Sequence, residues 1–140
     1  MKRHLLLAAP LLALAVASAS AQTKTRFMNH SNANLIDEAT AMAVMNENIP
    51  ERVWKIYPAR SYIFTSQVEG GITPAGTCVV AARVILMPLT GAAKAVLFRP
   101  QKTATAYDAL PNAGLDRCRE LARDKLKEAT LAVVSAIVKS

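Results

Sequence analysis

The chain has 140 residues, of which 52% are hydrophobic, and carries 17 basic against 10 acidic side chains for a net charge of +7. That is enough chain for one domain of ordinary size with its own core. It holds two cysteines, Cys78 and Cys118, with no CxxC spacing, which argues against a thiol redox motif or a cysteine-based metal centre.

Residues 1–21 read as a secretory signal peptide. Lys2, Arg3 and His4 make a basic start, Leu5 to Ala17 is an apolar run containing Pro10, and Ala19-Ser20-Ala21 is the small-x-small pattern of a cleavage site. The apolar run is too short to span a bilayer, for which about 20 residues are needed. The sequence therefore predicts cleavage after Ala21 and a periplasmic or extracellular protein. The short Ala/Leu-rich signal favours a bacterium. No later segment is long enough to be a membrane span. In an oxidising compartment two lone cysteines pair, so a Cys78–Cys118 disulfide is expected. Closing that loop restricts the unfolded chain and is worth roughly 4 kcal/mol.

Residues 22–32 are polar and aperiodic and are read as a flexible lead-in, leaving 33–140 as the folded domain. A first helix is predicted over Ala33 to Asn48, capped by Asn32 or Asn34, with Asp37 and Glu38 in its first turn. Pro50 ends it and opens a second, short helix carrying Val53, Trp54 and Ile56. Three strands follow: Ser61 to Glu69, Thr77 to Met87, and Lys94 to Arg99. Thr103 to Tyr107 resumes the third at an edge after Pro100. Gly70-Gly71 suggests a bulge or splayed hairpin end, and Thr73-Pro74-Ala75-Gly76 a turn. Pro111 to Gly114 leads into a long amphipathic helix ending near Lys139. On it Leu115, Cys118, Ala122, Leu126, Ala129, Val133, Ala136 and Ile137 recur at spacings of three and four on one face. Its rows of alternating charge read as a solvated surface.

These elements predict an α+β fold in α-β-β-β-α order, a three-stranded antiparallel meander packed against the C-terminal helix. If Cys78 faces that helix, the inward set is Cys78, Val80, Ala82, Val84 and Leu86, joined by Tyr62, Phe64, Val68, Val96 and Phe98. The opposite face, with Ile63, Thr65, Val79, Arg83, Ile85, Leu97 and Arg99, is too apolar for ordinary solvent surface. Either the first helix or a partner covers it.

The catalytic inventory is thin. Beyond the signal the one histidine is His30, in the lead-in. No GxSxG, HExxH, phosphate-loop or dinucleotide fingerprint is present. Glu69 and Asp108 stand near strand ends but are single carboxylates, which usually serve turns and caps. No cofactor and no metal site are expected. The element order is shared with double-stranded RNA-binding domains, but where those carry a lysine cluster at the start of their second helix this chain reads Gly114-Leu115-Asp116-Arg117. With an acid in that position and a secretory signal, nucleic acid is not the expected partner. From Arg52 to Tyr107 seven basic side chains face Glu69 alone, which suits an anionic partner. Trp54, beside Arg52, Lys55 and Arg60, either grips a partner or plugs the core. The candidate binding residues are Trp54, Arg60, Arg83 and Arg99, the last two expected across neighbouring strands. The function this predicts is non-enzymatic binding of a macromolecular or envelope partner through the semi-apolar, basic sheet face. A small-molecule carrier with a cavity lined by Tyr62, Phe64, Val84 and Phe98, a secreted enzyme using Glu69 or Asp108, and a homodimer joined through open sheet faces are the alternatives.

Overall fold

The computed structural model describes residues 26–139. The proposed signal peptide and its cleavage site lie outside the described residues. Seven elements follow in order: β1 (Phe27–Asn29), α1 (Glu38–Asn48), α2 (Glu51–Ile56), β2 (Tyr62–Ile72), β3 (Cys78–Pro88), β4 (Lys102–Leu110) and α3 (Leu115–Val138). The strands form one sheet in the order β1-β2-β3-β4, with β1 parallel to β2 and the remaining pairs antiparallel. The fold is α+β, with a four-stranded rather than three-stranded sheet against the long C-terminal helix.

The inner face forms where alternation on β3 meets the stripe on α3. Cys78, Val80, Ala82, Val84 and Leu86 are fully buried, as are Phe64 and Val68 on β2. Against them α3 sets Cys118, Ala122, Leu126, Ala129, Val133 and Ile137. Each large side chain so buried contributes about 1.5–3 kcal/mol. Cys78 and Cys118 are joined by a disulfide with their Cα atoms 5.5 Å apart, tying the first residue of β3 to the first turn of α3. Both helices α1 and α2 share this core through Ala41, Met45, Val53 and Trp54. The first helix therefore lies on the same side as α3 and does not cover the outer face.

Four local expectations are corrected. Helix α1 starts later than predicted because Asp37, not Asn32 or Asn34, is its cap. The Asp37 carboxylate accepts from the Thr40 N–H at 2.8 Å and the Thr40 hydroxyl at 2.9 Å, and these bonds hold its pKa below the usual carboxylate range.

The lead-in is not free where it is described, since Phe27–Asn29 pairs with Phe64–Ser66. Polar side chains fasten it. Asn29 Oδ1 accepts from the hydroxyls of Ser31 at 2.6 Å and Ser66 at 2.8 Å, and the Ser31 hydroxyl oxygen accepts from the Val68 N–H at 3.0 Å. Ser66 is fully buried, so the Asn29 bond satisfies a hydroxyl that would otherwise be stranded.

The third strand is Lys102–Leu110, not Lys94–Arg99. Pro100 has no N–H to give a ladder, and Lys94 sits at a φ of 52° in a turn closed by Ala95 N–H on the Thr90 hydroxyl. Only a Leu89–Val96 bridge remains of the predicted strand. Of its expected core residues, Val96 packs on the outer side and Phe98 is 82% exposed.

Finally, Gly70 and Gly71 form no bulge, because the β2–β3 register runs unbroken from Tyr62–Pro88 to Ile72–Cys78. Gly70 adopts a φ of 131°, and a Cβ there would strike the Val79 carbonyl. Gly71, at 152°, has nothing within 4 Å of such an atom. Gly70→Ala is expected to cost roughly 3 kcal/mol or more, and Gly71→Ala clearly less, in urea unfolding. Equal effects would contradict the close approach of the two strands at Gly70.

Candidate functional site

The outer sheet face divides into two parts. At one end Ile63, Ile85 and Met87 are buried beneath Met28, Leu89 and Val96. The segment 89–101 thus folds over the sheet and covers what the helices leave bare. It is held at both ends, by Leu89 N–H on the Ser61 carbonyl at 2.8 Å and Gln101 N–H on the Leu86 carbonyl at 2.9 Å. At the other end Val79, Ala81, Arg83, Thr105 and Tyr107 remain exposed, Tyr107 to 80%.

A hollow of about 330 Å³ opens beside the covering segment. Met28, Ala59, Ile63, Leu89 and Val96 make its apolar lining, with Arg60 and Lys94 beside them. Lys94 Nζ donates to the Arg60 carbonyl at 2.8 Å, which fixes the segment to the start of β2. Beyond Lys94 the chain presents Leu97, 41% exposed, and Phe98, then Arg99. No acidic residue occurs between Glu69 and Asp108. An exposed aromatic bracketed by cations, with no carboxylate in its own segment, can place an apolar group at an anionic surface while its neighbours take the surface charge.

The four sequence candidates separate. Arg60 and Arg99 both belong to this end of the molecule, Arg60 in the hollow and Arg99 in the covering segment. Arg83 does not face Arg99. Its cross-strand partners are Gln67 and Thr105, with Glu69 in the same shallow depression, so the expected repelling pair is replaced by a polar setting. Trp54 is buried. Its ring meets Phe27 and Phe64 edge-on at 5.9 and 5.3 Å. The Arg26 guanidinium lies 4.9 Å over it and reaches Glu51 at 3.2 Å. Burial takes Trp54 out of direct partner contact, and its packing explains why β1 docks where it does.

Lys94 and Phe98 are not among the sequence candidates, because Lys94 to Arg99 reads as a strand with Val96 and Phe98 turned to the core and Leu97 on the opposite face. The signal that marks them is the long acid-free stretch around Pro100.

The two carboxylates considered for catalysis are differently placed. Asp108 lies 3.5 Å from Lys125 Nζ and accepts from the Ala109 N–H at 2.8 Å. Lys125 is bound more closely by Glu128, at 2.7 Å, and these two carboxylates, Glu128 foremost, raise its pKa above that of an ordinary lysine. Glu69 is exposed beside Arg83. Phe98, turned to solvent, lines no cavity with Phe64 and Val84, both of which are fully buried. Among the described residues no group of three potential metal-ligating side chains gathers, and no helix is long and apolar enough to cross a membrane.

No known protein family matches the chain, and no curated protein sequence matches it. Among solved structures, one from Caulobacter crescentus CB15, provisionally described as a lipoprotein, is similar at 10% identity with a TM-score of 0.37, over 81% of this chain and 85% of that one. A likeness that remote transfers no function.

The different settings of two of the four candidates, Trp54 and Arg83, can be measured directly. Trp54→Ala is expected to cost about 3–5 kcal/mol of stability in urea unfolding, whereas Arg83→Ala stays within about 0.5 kcal/mol. A near-neutral Trp54→Ala would contradict its place in the core.

Proposed function

We propose that this is an exported, non-enzymatic protein that binds the anionic lipid surface of the cell envelope through segment 89–101. The observation that carries the reading is the exposure of Leu97 and Phe98 between Lys94 and Arg99. Burying a phenylalanine at an interface is worth about 1.5–3 kcal/mol, and each cation near an anionic membrane adds about 1 kcal/mol. Together these terms support reversible attachment rather than insertion. Arg60, in the hollow beside Lys94, adds to the same basic patch.

Export is proposed from residues 1–21, with cleavage after Ala21. The disulfide supports it, since such bonds persist in oxidising compartments. A periplasmic or extracellular location places segment 89–101 where envelope lipids are accessible. Export, together with the acid at Asp116 where a phosphate-binding lysine would stand, weighs against nucleic acid as partner.

The test is co-sedimentation of the exported protein with vesicles of phosphatidylcholine alone or mixed with phosphatidylglycerol. Binding is expected only to the anionic vesicles. Phe98→Ser should weaken it about tenfold or more, and Lys94→Glu with Arg99→Glu should abolish the preference for anionic lipid. Phe98 and Arg99 are exposed and their replacement should leave the fold unaffected, whereas Lys94→Glu gives up the bond to the Arg60 carbonyl, so circular dichroism checks that variant first. Failure to bind, or equal binding to neutral vesicles, would overturn the proposal.

A further inference from the structure

The sheet has two edges of unequal character. At one, β1 is only three residues long. At the other, β4 runs for nine residues, Lys102–Leu110, without a proline. Long regular edges are templates for another strand, and proteins usually blunt them.

The direction in which β4 offers its backbone follows from the hydrogen-bond phase. Leu89 N–H donates to the Ser61 carbonyl and Thr73 N–H to the Thr77 carbonyl, and both lie on the same diagonal as the β2–β3 register. Alternate residues in an antiparallel pair bond to opposite sides. The odd residues of β3 therefore bond to β2, and its even residues bond to β4. In the β3–β4 register even residues face even residues, from Cys78–Leu110 to Leu86–Lys102. The N–H and C=O groups of Thr103, Thr105, Tyr107 and Ala109 consequently point away from the sheet. The Asp108 carboxylate on the Ala109 N–H, at 2.8 Å, fits this phase: a side chain takes the place of a missing strand at the end of the edge.

We infer that β4 is a docking edge for a second copy of this chain, paired antiparallel about a two-fold axis at Thr105. The commitment to a self-partner comes from charge. Lys102 and Asp108 are the only charged residues of β4, and they stand equally far on either side of Thr105. Pairing about that residue puts Lys102 of each copy opposite Asp108 of the other, on the same sheet face, twice over. Thr103 falls opposite Tyr107, and Thr105 opposite itself, so three outward-facing residues in each copy find backbone partners. Shifting the axis to Ala106 sets Lys102 against Leu110 and Asp108 against Ala104. Shifting it to Ala104 sets Lys102 against Ala106 and Asp108 against Pro100, so neither charge meets its opposite. Only the Thr105 register matches charge with charge, and register in an open edge is decided by such cross-strand pairs. The two copies would share one continuous eight-stranded sheet, with Tyr107 of each packed beside Thr103 of the other on the outer face at the join. This edge is formed by residues other than the proposed lipid-binding segment, so either proposal can fail alone.

The test is sedimentation velocity of the exported protein over a range of concentrations, with variants. A reversible dimer is expected. Thr105→Pro removes an outward-facing N–H and leaves the bonds from the even residues to β3 intact, so it should give a monomer of unchanged circular dichroism. Lys102→Glu and Asp108→Lys should each weaken dimerisation by about tenfold, and the two combined should restore it, because the reversed charges again meet across the axis. The restoration separates this pairing from any local effect of losing the Asp108 contacts, and it still decides the matter if Thr105→Pro does not fold. A protein monomeric at every concentration, a dimer indifferent to Thr105→Pro, or a charge-swapped variant as weak as the single ones would overturn the inference.

Discussion

Everything in this structure depends on one-sided burial of the sheet. The inner residues of β3 are all fully buried against α3, and the Cys78–Cys118 bond ties the two elements together at the start of each. Because α1 and α2 join the same core, the three helices among the described residues all stand on one face. A sheet covered on one side must present its second face to something else. Here that face is half covered by a short irregular segment and half left open, and its surface chemistry follows from that division.

The covering segment is a compromise between two demands. Leu89 and Val96 turn inward to shield Ile63, Ile85 and Met87. Its other large apolar side chains, Leu97 and Phe98, emerge beside Lys94 and Arg99. Trp54, the aromatic that looks most like a binding residue in the sequence, is instead enclosed by Phe27, Phe64 and Arg26. Phe98, which does reach solvent, is one that the sequence pattern assigns to the core.

Particular residues show what was legible beforehand. The alternation of Cys78 to Leu86 and the stripe on α3 each report burial through a strict period, and the cysteine pair then fixes which faces meet. Periodicity gives a helix a buried face but not a side of the sheet, so the position of α1 could not be read. Strand β1 is three residues of parallel pairing held by Asn29, Ser31 and Ser66. Those polar side chains bond specific partners far along the chain, which looks in sequence like an unstructured tail. The third strand was misplaced because Val96-Leu97-Phe98 has the stronger intrinsic strand preference. Pro100 and the left-handed turn at Lys94 override that preference, and Lys102–Leu110 wins by offering an unbroken run of donors. Of the binding candidates, Arg60 and Arg99 are at the proposed surface, while Arg83 was placed by pairing it with a strand that does not exist.

The central claim is that one-sided packing leaves segment 89–101 as the contact surface while the helical layer stays closed. Hydrogen–deuterium exchange of the exported protein, with and without anionic vesicles, tests it most directly. The account predicts added protection confined to segment 89–101 and the adjoining start of β2, with no change in α1 or α3. Protection centred on α1 or α3, with segment 89–101 unaffected, would contradict it.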